Sequence, residues 1–582
     1  MVEVINGYTD KPLACQKLIA CFLERDGISG HLYVGYPFLC RMGLLKTSRI
    51  DCLLISPEKG LVAFNLIEEA VPPDYGMKQD EVYQVIDWHL RRDGNLLKNR
   101  QVIVDINVVT FAPNAAVDLC GEEDYPLCDE KTLDATLADM VLGKPELYDL
   151  IRAYPKIRNG AEKILANAST PDFFGASDII LGYALSAVFR TIEKPLLDYK
   201  EAHSTEVKKR SCLILYHNQI RAVMETPDGT QRIRGLSGSG KSTVLALKAA
   251  YVHACHPGWR IGVAYSTLSA RSYYMNAIGF FYRELTGMSP NWENVTVCQA
   301  WGLENGMNGD AGMCQIFCAA NFTRLYRYSK DKINLGFSDG FNKACEMGLY
   351  DIEARERSRY ENVFDNPKEI FDILIIDEAQ DFPESFLRLC YAMLRNPKRL
   401  VFAYDELQNF RSQPLPPPED ILANFNDGKS FESVYLRDGF KPNSDIVLGG
   451  CYGRPFAVLS AAHALAFGIY RAPRPKWDEL GLLQMLENIS MWIALGYEVI
   501  DGCLDYGKRV VMGRASIDRL DADPNLEEQI VFKAFRSEEE HDAWVVQEIK
   551  RNLAEGGLEA HDIMVVVPER LMIGLGAEVI RN

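Results

Sequence analysis

The chain has 582 residues, 47% hydrophobic and 25% charged, which suits a globular protein of about three to five domains and excludes a mainly disordered, collagen-like or disulfide-scaffold chain. Its 63 Lys and Arg against 80 Asp and Glu give a formal charge of −17. A protein that coats nucleic acid carries the opposite sign, because neutralising phosphates with Lys and Arg supplies its affinity, so any nucleic-acid contact here must be local.

The first element expected in chain order is a helix at Pro12–Glu24, where apolar residues recur at helical spacing. Short β-rich runs follow at Ile50–Ile55, Leu61–Ile67 and Val102–Phe111, the first two separated by the turn Pro57-Glu58-Lys59-Gly60. These place an α/β domain at 1–115. Residues 116–210 read as a helical connector, with helical periodicity at Ile179–Ile192 and a basic end at Lys208-Lys209-Arg210. Strands and helices alternate again over 211–412, interrupted by an insertion at about 303–368. A proline-rich stretch at Gln413–Asp420 suits a semi-rigid link, and a further α/β segment occupies 430–582.

The 15 cysteines are scattered without a CxxC pair, as expected in a reducing compartment. Cys314 with Cys318, and Cys120 with Cys128, have no partner pair at zinc-like spacing. The N-terminal MVEVINGYTD carries neither a basic nor an apolar leader segment. The longest charge-free apolar stretch, Pro455–Tyr470, is shorter than the roughly 18 residues a membrane span needs. The expectation is a cytoplasmic protein without membrane contact.

Gly235-Leu236-Ser237-Gly238-Ser239-Gly240-Lys241-Ser242 fits GxxxxGK[ST] in full, and Thr243 follows. Glycines let backbone N–H groups curl around phosphate oxygens with no Cβ in the way. The apolar helix expected after Lys241 points its positive dipole end at the anion. Lys241 would reach the β- and γ-phosphates, and Ser242 would offer a hydroxyl to Mg²⁺. Farther on, the apolar run Ile373-Leu374-Ile375-Ile376 is a strand expected to be buried on both faces, and it ends in Asp377-Glu378. Such a pair alone also serves as a helix cap. Beside a phosphate loop, Asp377 would hold Mg²⁺ through its water shell and Glu378 would orient and deprotonate the attacking water.

Asp377-Glu378-Ala379-Gln380-Asp381-Phe382 resembles the signature of superfamily 1 helicases of the UvrD/Rep type, and further motifs follow that family's order. The resemblance implies RecA-like P-loop parallel sheets forming two motor domains, the second incomplete, with ATP and Mg²⁺ as cofactors. It makes Gln219, in Leu215-Tyr216-His217-Asn218-Gln219, the reader of adenine, and Gln408, in Ala403-Tyr404-Asp405-Glu406-Leu407-Gln408, the sensor of the γ-phosphate. Phe440 would stack on adenine, and Lys441 stands where an arginine usually contacts the γ-phosphate. Lysine and arginine are not equivalent at that position, since only arginine offers a bidentate fork, which implies weaker transition-state stabilisation. Val263–Thr267, Gln299 and Trp301 match segments that touch the single strand. The family's last two motifs, including the arginine-rich helix that supplies an arginine finger, have no counterpart before Asn582, which implies ATP binding with slow turnover.

Arg49–Ile55 and Val62–Glu68 resemble the hairpin of a nuclease-related, restriction-endonuclease-like domain. Asp51 fits the first carboxylate, but Asn65-Leu66-Ile67 stands where active members have Glu-x-Lys, so a degenerate docking domain for DNA or a protein partner is expected. Arg324-Leu325-Tyr326-Arg327-Tyr328 with Lys330 and Lys332 interleaves basic and aromatic groups, as a base-stacking surface or an amphipathic surface helix would. The implied activity is an ATP-dependent helicase or translocase on single-stranded or partly duplex DNA, with RNA open, in DNA repair or defence. The competing expectation is a nucleotide-gated sensor or scaffold built on the same fold.

Overall fold

Apart from short gaps, the computed structural model describes residues 2–140, 217–302, 311–325, 337–357, 368–405, 442–448, 497–502, 510–514 and 531–555, with Gln408 and a few isolated positions besides. Ile179–Ile192, Lys208–Arg210, the proline-rich stretch, Phe440, Lys441 and Tyr326–Lys332 lie outside the described residues.

The N-terminal part runs β1 (Val2–Asn6), α1 (Pro12–Leu23), β2 (Gly30–Val34), β3 (Phe38–Cys40), β4 (Thr47–Arg49), β5 (Cys52–Ser56), β6 (Gly60–Leu66), α2 (Tyr75–Leu90), β7 (Leu97–Lys98), β8 (Gln101–Val102), β9 (Ile106–Phe111), β10 (Leu127–Cys128) and α3 (Leu133–Leu137). Six of these strands form a mixed sheet in the order β1-β2-β5-β6-β9-β10. The turn at Gly60 closes the antiparallel β5–β6 hairpin, with Cys52 opposite Phe64, and α2 carries the chain over to β9, which runs parallel to β6. The Glu68 carboxylate accepts the backbone N–H groups of Leu13 and Ala14, two of the donors that the first turn of α1 leaves open. The boundary expected near 115 falls inside this arrangement. β10 extends the sheet, and Cys128, Leu133 and Leu137 are buried against Phe22, Phe64 and Phe111.

The following region runs α4 (His217–Met224), β11 (Gln231–Gly235), α5 (Lys241–Cys255), β12 (Ile261–Tyr265), α6 (Ala270–Thr286), β13 (Val295–Gln299), α7 (Met313–Asn321), α8 (Phe337–Arg357), β14 (Phe371–Ile376), a 3-10 turn (Ala379–Asp381), α9 (Glu384–Ala392), β15 (Leu394–Tyr404) and β16 (Asp445–Leu448). Its six strands are all parallel, in the order β13-β12-β14-β15-β11-β16. The apolar run expected to be a doubly covered strand is β14. On one face Val263, Ile373 and Ile375 pack with residues of α5 and α6; on the other, Leu374 and Ile376 pack with residues of α7, α8 and α9. The fold is α/β.

Two further differences from the sequence expectation concern boundaries. β16, expected in a second motor domain at 430–582, is the edge strand of this parallel sheet. Its Asp445 pairs with Arg232 at 2.8 Å and Arg234 at 2.7 Å, which β11 presents on one face two residues apart. The segment expected as an insertion supplies α7 and α8, whose Phe317, Phe341 and Cys345 belong to the core beneath β14. The N-terminal sheet also shares one continuous buried cluster with the parallel sheet's helices: Ile5, Tyr33 and Leu53 join Met224, Tyr251 and Phe281.

Toward the C-terminus, β17 (Tyr497–Gly502) and β18 (Val510–Arg514) pair antiparallel. In the second compact unit of the chain, α10 (Glu538–Ala554) starts at Ser537, whose hydroxyl accepts from Glu540 N, and three glutamates in its first turn face the positive dipole end. Among the described residues, no helix is long and apolar enough to cross a membrane.

Candidate nucleotide site

Because β11, β14 and β15 are parallel, their C-terminal ends open on one edge of the sheet, where open α/β sheets place their ligands. Three chemistries meet there: the glycine loop after β11, Asp377 after β14, and Asp405 after β15. The chain leaves β11 at Gly235, turns through Gly238 and Gly240, both at φ 84, and enters α5 at Lys241. That left-handed backbone is the reason for glycine at these two positions. Gly240 is also tightly faced: a Cβ there would lie 2.9 Å from Gln219 Nε2.

The loop is held from both sides. Gln219, buried on α4, donates Nε2 to Ser239 O at 2.8 Å. Lys241 Nζ donates to Gly235 O at 2.9 Å and Leu236 O at 3.3 Å, and lies 3.4 Å from Asp405 Oδ2. The ammonium is thus held at the mouth of the loop by weak carbonyl partners and one carboxylate, all exchangeable for phosphate oxygens. Ser239 Oγ, fully buried in the loop, has no hydrogen-bond partner among the described residues.

Ser242 and Asp377, 135 positions apart, meet directly: Ser242 Oγ donates to Asp377 Oδ2 at 2.7 Å. Tyr274 OH of α6 donates to the same oxygen at 2.5 Å. Burial pushes the Asp377 carboxyl up from its ordinary range, as does the neighbouring Glu378 charge, while Tyr274, Ser242 and Lys241 pull it back. A buried carboxylate beside a serine hydroxyl is an oxygen pair of the kind hard divalent cations take. Glu378 has a left-handed backbone, φ 52, uncommon outside glycine. Gln380 donates Nε2 to Glu378 Oε2 at 2.6 Å and accepts the Asp405 N–H at 3.1 Å, so it joins the acidic turn to the end of β15.

The structure therefore brings together Gln219, Gly235, Ser237, Gly238, Ser239, Gly240, Lys241, Ser242, Thr243, Asp377 and Glu378 around one sheet edge. Thr243 Oγ1 is paired with Tyr273 OH at 2.9 Å, beside α6. Gln408 lies just past β15, its N–H donating to Asp405 O at 3.3 Å. Gln299 donates Nε2 to Ser266 O at 2.9 Å, linking the two segments expected to touch a single strand.

Sequence reasoning passed over Tyr274 and gave Asp405 no role. Asp405 stands in the Ala403–Gln408 motif and could have been read from it; nothing local marks Tyr274, which acts across 103 positions.

No protein-family model matches the chain, and no curated protein matches it significantly. The reading of the site thus rests on its geometry.

In the N-terminal sheet, Asp51 is buried at the foot of β5. Its Oδ2 accepts the Leu66 N–H at 2.9 Å and the Lys11 ammonium at 2.6 Å, with Lys78 Nζ 4.0 Å away. The Lys78 pKa is lowered by burial and raised back by Asp51. Asn65, where a second carboxylate would stand, is buried with both amide atoms unpartnered among the described residues. The nearby Glu68 is engaged at the start of α1.

Proposed function

We propose that this chain is an ATPase that binds ATP with Mg²⁺ at the 235–243 loop and couples hydrolysis to movement on single-stranded or partly duplex DNA, with RNA left open as the track. The observation that carries this reading is the 2.7 Å contact between Ser242 Oγ and Asp377 Oδ2, which joins the phosphate loop to the acidic strand end. The unpartnered Ser239 hydroxyl, the exchangeable ties of Lys241 and the glycine backbone support a triphosphate in this cradle.

Each residue's task follows from its place. Loop N–H groups and the α5 N-terminus hold phosphate oxygens, and Lys241 trades Gly235 O and Leu236 O for the β- and γ-oxygens. Ser242 and Asp377 would hold the Mg²⁺, which when bound neutralises charge on the transferring phosphate. Glu378, steadied by Gln380, orients water and takes its proton. Gln408, past the end of β15, is proposed as the γ-phosphate sensor, and Phe440 and Lys441, just before β16 in sequence, as the adenine-stacking and γ-phosphate-contacting residues. In the RecA-like reading, the parallel sheet is the first motor domain.

The N-terminal sheet is proposed as a docking element for DNA or a protein partner, since the Lys11 ammonium sits on Asp51 and Asn65 offers no carboxylate. Its shared core with the nucleotide region favours, as the second reading, a nucleotide-gated switch that does not translocate. ATP hydrolysis measured with and without a single-stranded oligonucleotide separates the two. The translocase reading expects stimulation, and loss of about 10²-fold or more of the rate in Glu378→Gln with ATP binding retained. Nucleotide binding without strand-stimulated hydrolysis would leave only the switch, and wild-type hydrolysis by Glu378→Gln would remove that residue's role.

A further inference from the structure

Nothing in the ATP reading uses the N-terminal sheet, yet that sheet grips both helices that flank the phosphate loop. On α4, Arg221 Nη2 donates to Glu3 Oε1 at 2.6 Å and to Val4 O at 3.4 Å, both on β1. Just past α4, the buried Glu225 carboxylate accepts the N–H of Asn6 at 3.4 Å and of Asn443 at 2.8 Å. On α5, Tyr251 OH accepts the Tyr8 N–H at 3.3 Å and donates to Gly35 O at 3.5 Å. Gly7 permits this close approach: a Cβ there would fall 2.7 Å from Tyr251 OH and 3.1 Å from Met224 Cε.

α4 lies between these contacts and the loop. Gln219 and Arg221 are two residues apart, about 200° around a helix, so they face nearly opposite ways. One grips the Ser239 carbonyl and the other grips β1. The far end of α4 is fixed to α5 by Lys248, whose Nζ donates to Ala222 O at 3.0 Å and Glu225 O at 2.6 Å. A short helix held at β1, at α5 and at the loop moves as one piece. Displacing it from β1 displaces Gln219, and with it the loop carbonyl that sets the approach to Gly240.

We infer that the N-terminal sheet is a working part of the nucleotide site: the Glu3–Arg221 pair holds α4 so that Gln219 fixes the Ser239 carbonyl, which makes Glu3 and Arg221 positioning residues for nucleotide binding. The inference rests on the ATP reading above. Because binding couplings are reciprocal, nucleotide in turn tightens the docking of β1 on α4, and a ligand that loosens β1 weakens nucleotide binding.

The test is equilibrium titration of the full chain with a fluorescent ATP analogue and Mg²⁺, for wild type, Glu3→Gln, Glu3→Asp, Tyr251→Phe and Lys241→Ala. Glu3→Gln is expected to weaken binding about threefold, the size of a partly exposed ion pair. Glu3→Asp should recover part of that loss because it keeps the charge, and Tyr251→Phe should weaken binding in the same direction. The Glu3→Gln deficit should shrink in high salt, as a screened ion pair does and a packing defect does not. Wild-type affinity in both Glu3→Gln and Tyr251→Phe, with Lys241→Ala failing to bind, would overturn the inference and leave the ATP reading standing. Absence of binding by wild type, or equal binding by Lys241→Ala, would remove the ATP reading and the inference together.

Discussion

Gly240→Ala perturbs the site at the single position where backbone and side-chain constraints coincide. Its φ of 84 is a left-handed conformation, which costs an L-residue roughly 1–2 kcal/mol. The added Cβ would lie 2.9 Å from Gln219 Nε2, so the amide must release Ser239 O, a buried hydrogen bond worth about 1 kcal/mol net. The sum is about 2–3 kcal/mol. It appears as lost stability if the loop keeps its shape, or as weaker Mg·ATP binding, up to about 30- to 150-fold, if the loop relaxes away from it. Two further substitutions separate the causes. Gly229 has φ 127 and no heavy atom within 4 Å of a built Cβ, so Gly229→Ala carries backbone strain alone; Gly258 has open space and no positive φ, so Gly258→Ala carries neither. Denaturant midpoints and nucleotide titrations on the three variants read the result. A Gly240→Ala chain with the midpoint and affinity of Gly258→Ala would refute the reasoning.

Lys248 is fully buried, and burial lowers its pKa to about 7, whereas an unfolded lysine keeps its proton to about 10.4. Between those values the unfolded chain binds more protons, so this group makes stability lowest below pH 7 and raises it, by at most about 1.4 kcal/mol per pH unit, as pH climbs from there. Denaturant midpoints at pH 7 and 9 should diverge in wild type and flatten in Lys248→Met; equal slopes in the two would contradict the assignment. Tyr274→Phe removes a 2.5 Å hydrogen bond to the Asp377 carboxylate and should destabilise the nucleotide-free chain by about 1.5–3 kcal/mol, the range for bonds to charged groups. A thermal midpoint equal to wild type would show that this hydroxyl does not support Asp377.

The parts of the site legible in the sequence are those in which chemistry and backbone lie within a few residues of one another. The glycines that must turn left-handed stand directly before Lys241, and Asp377 directly follows an apolar strand. The β5–β6 hairpin was readable for the same reason, since Gly60 sits between two β-rich runs. What escaped depends on distant partners. Asp445 reads as part of a later segment until the two arginines of β11, more than 200 residues earlier, are seen to bracket it. Leu127–Cys128 is too short to carry a strand pattern and is a strand only because β9 offers it an edge. The docking of β1 on α4 is written in single residues, Glu3, Gly7, Arg221 and Tyr251, none of which belongs to a periodic pattern.

The central claim is that the loop before α5 and the carboxylate after β14 hold one triphosphate between them. Calorimetric titration of Mg·ATP into wild type and Lys241→Ala, with both chains first checked for the same thermal midpoint, tests it most directly. One saturable site in wild type and no measurable heat of binding in the variant is the predicted result; the same affinity in both chains would contradict it.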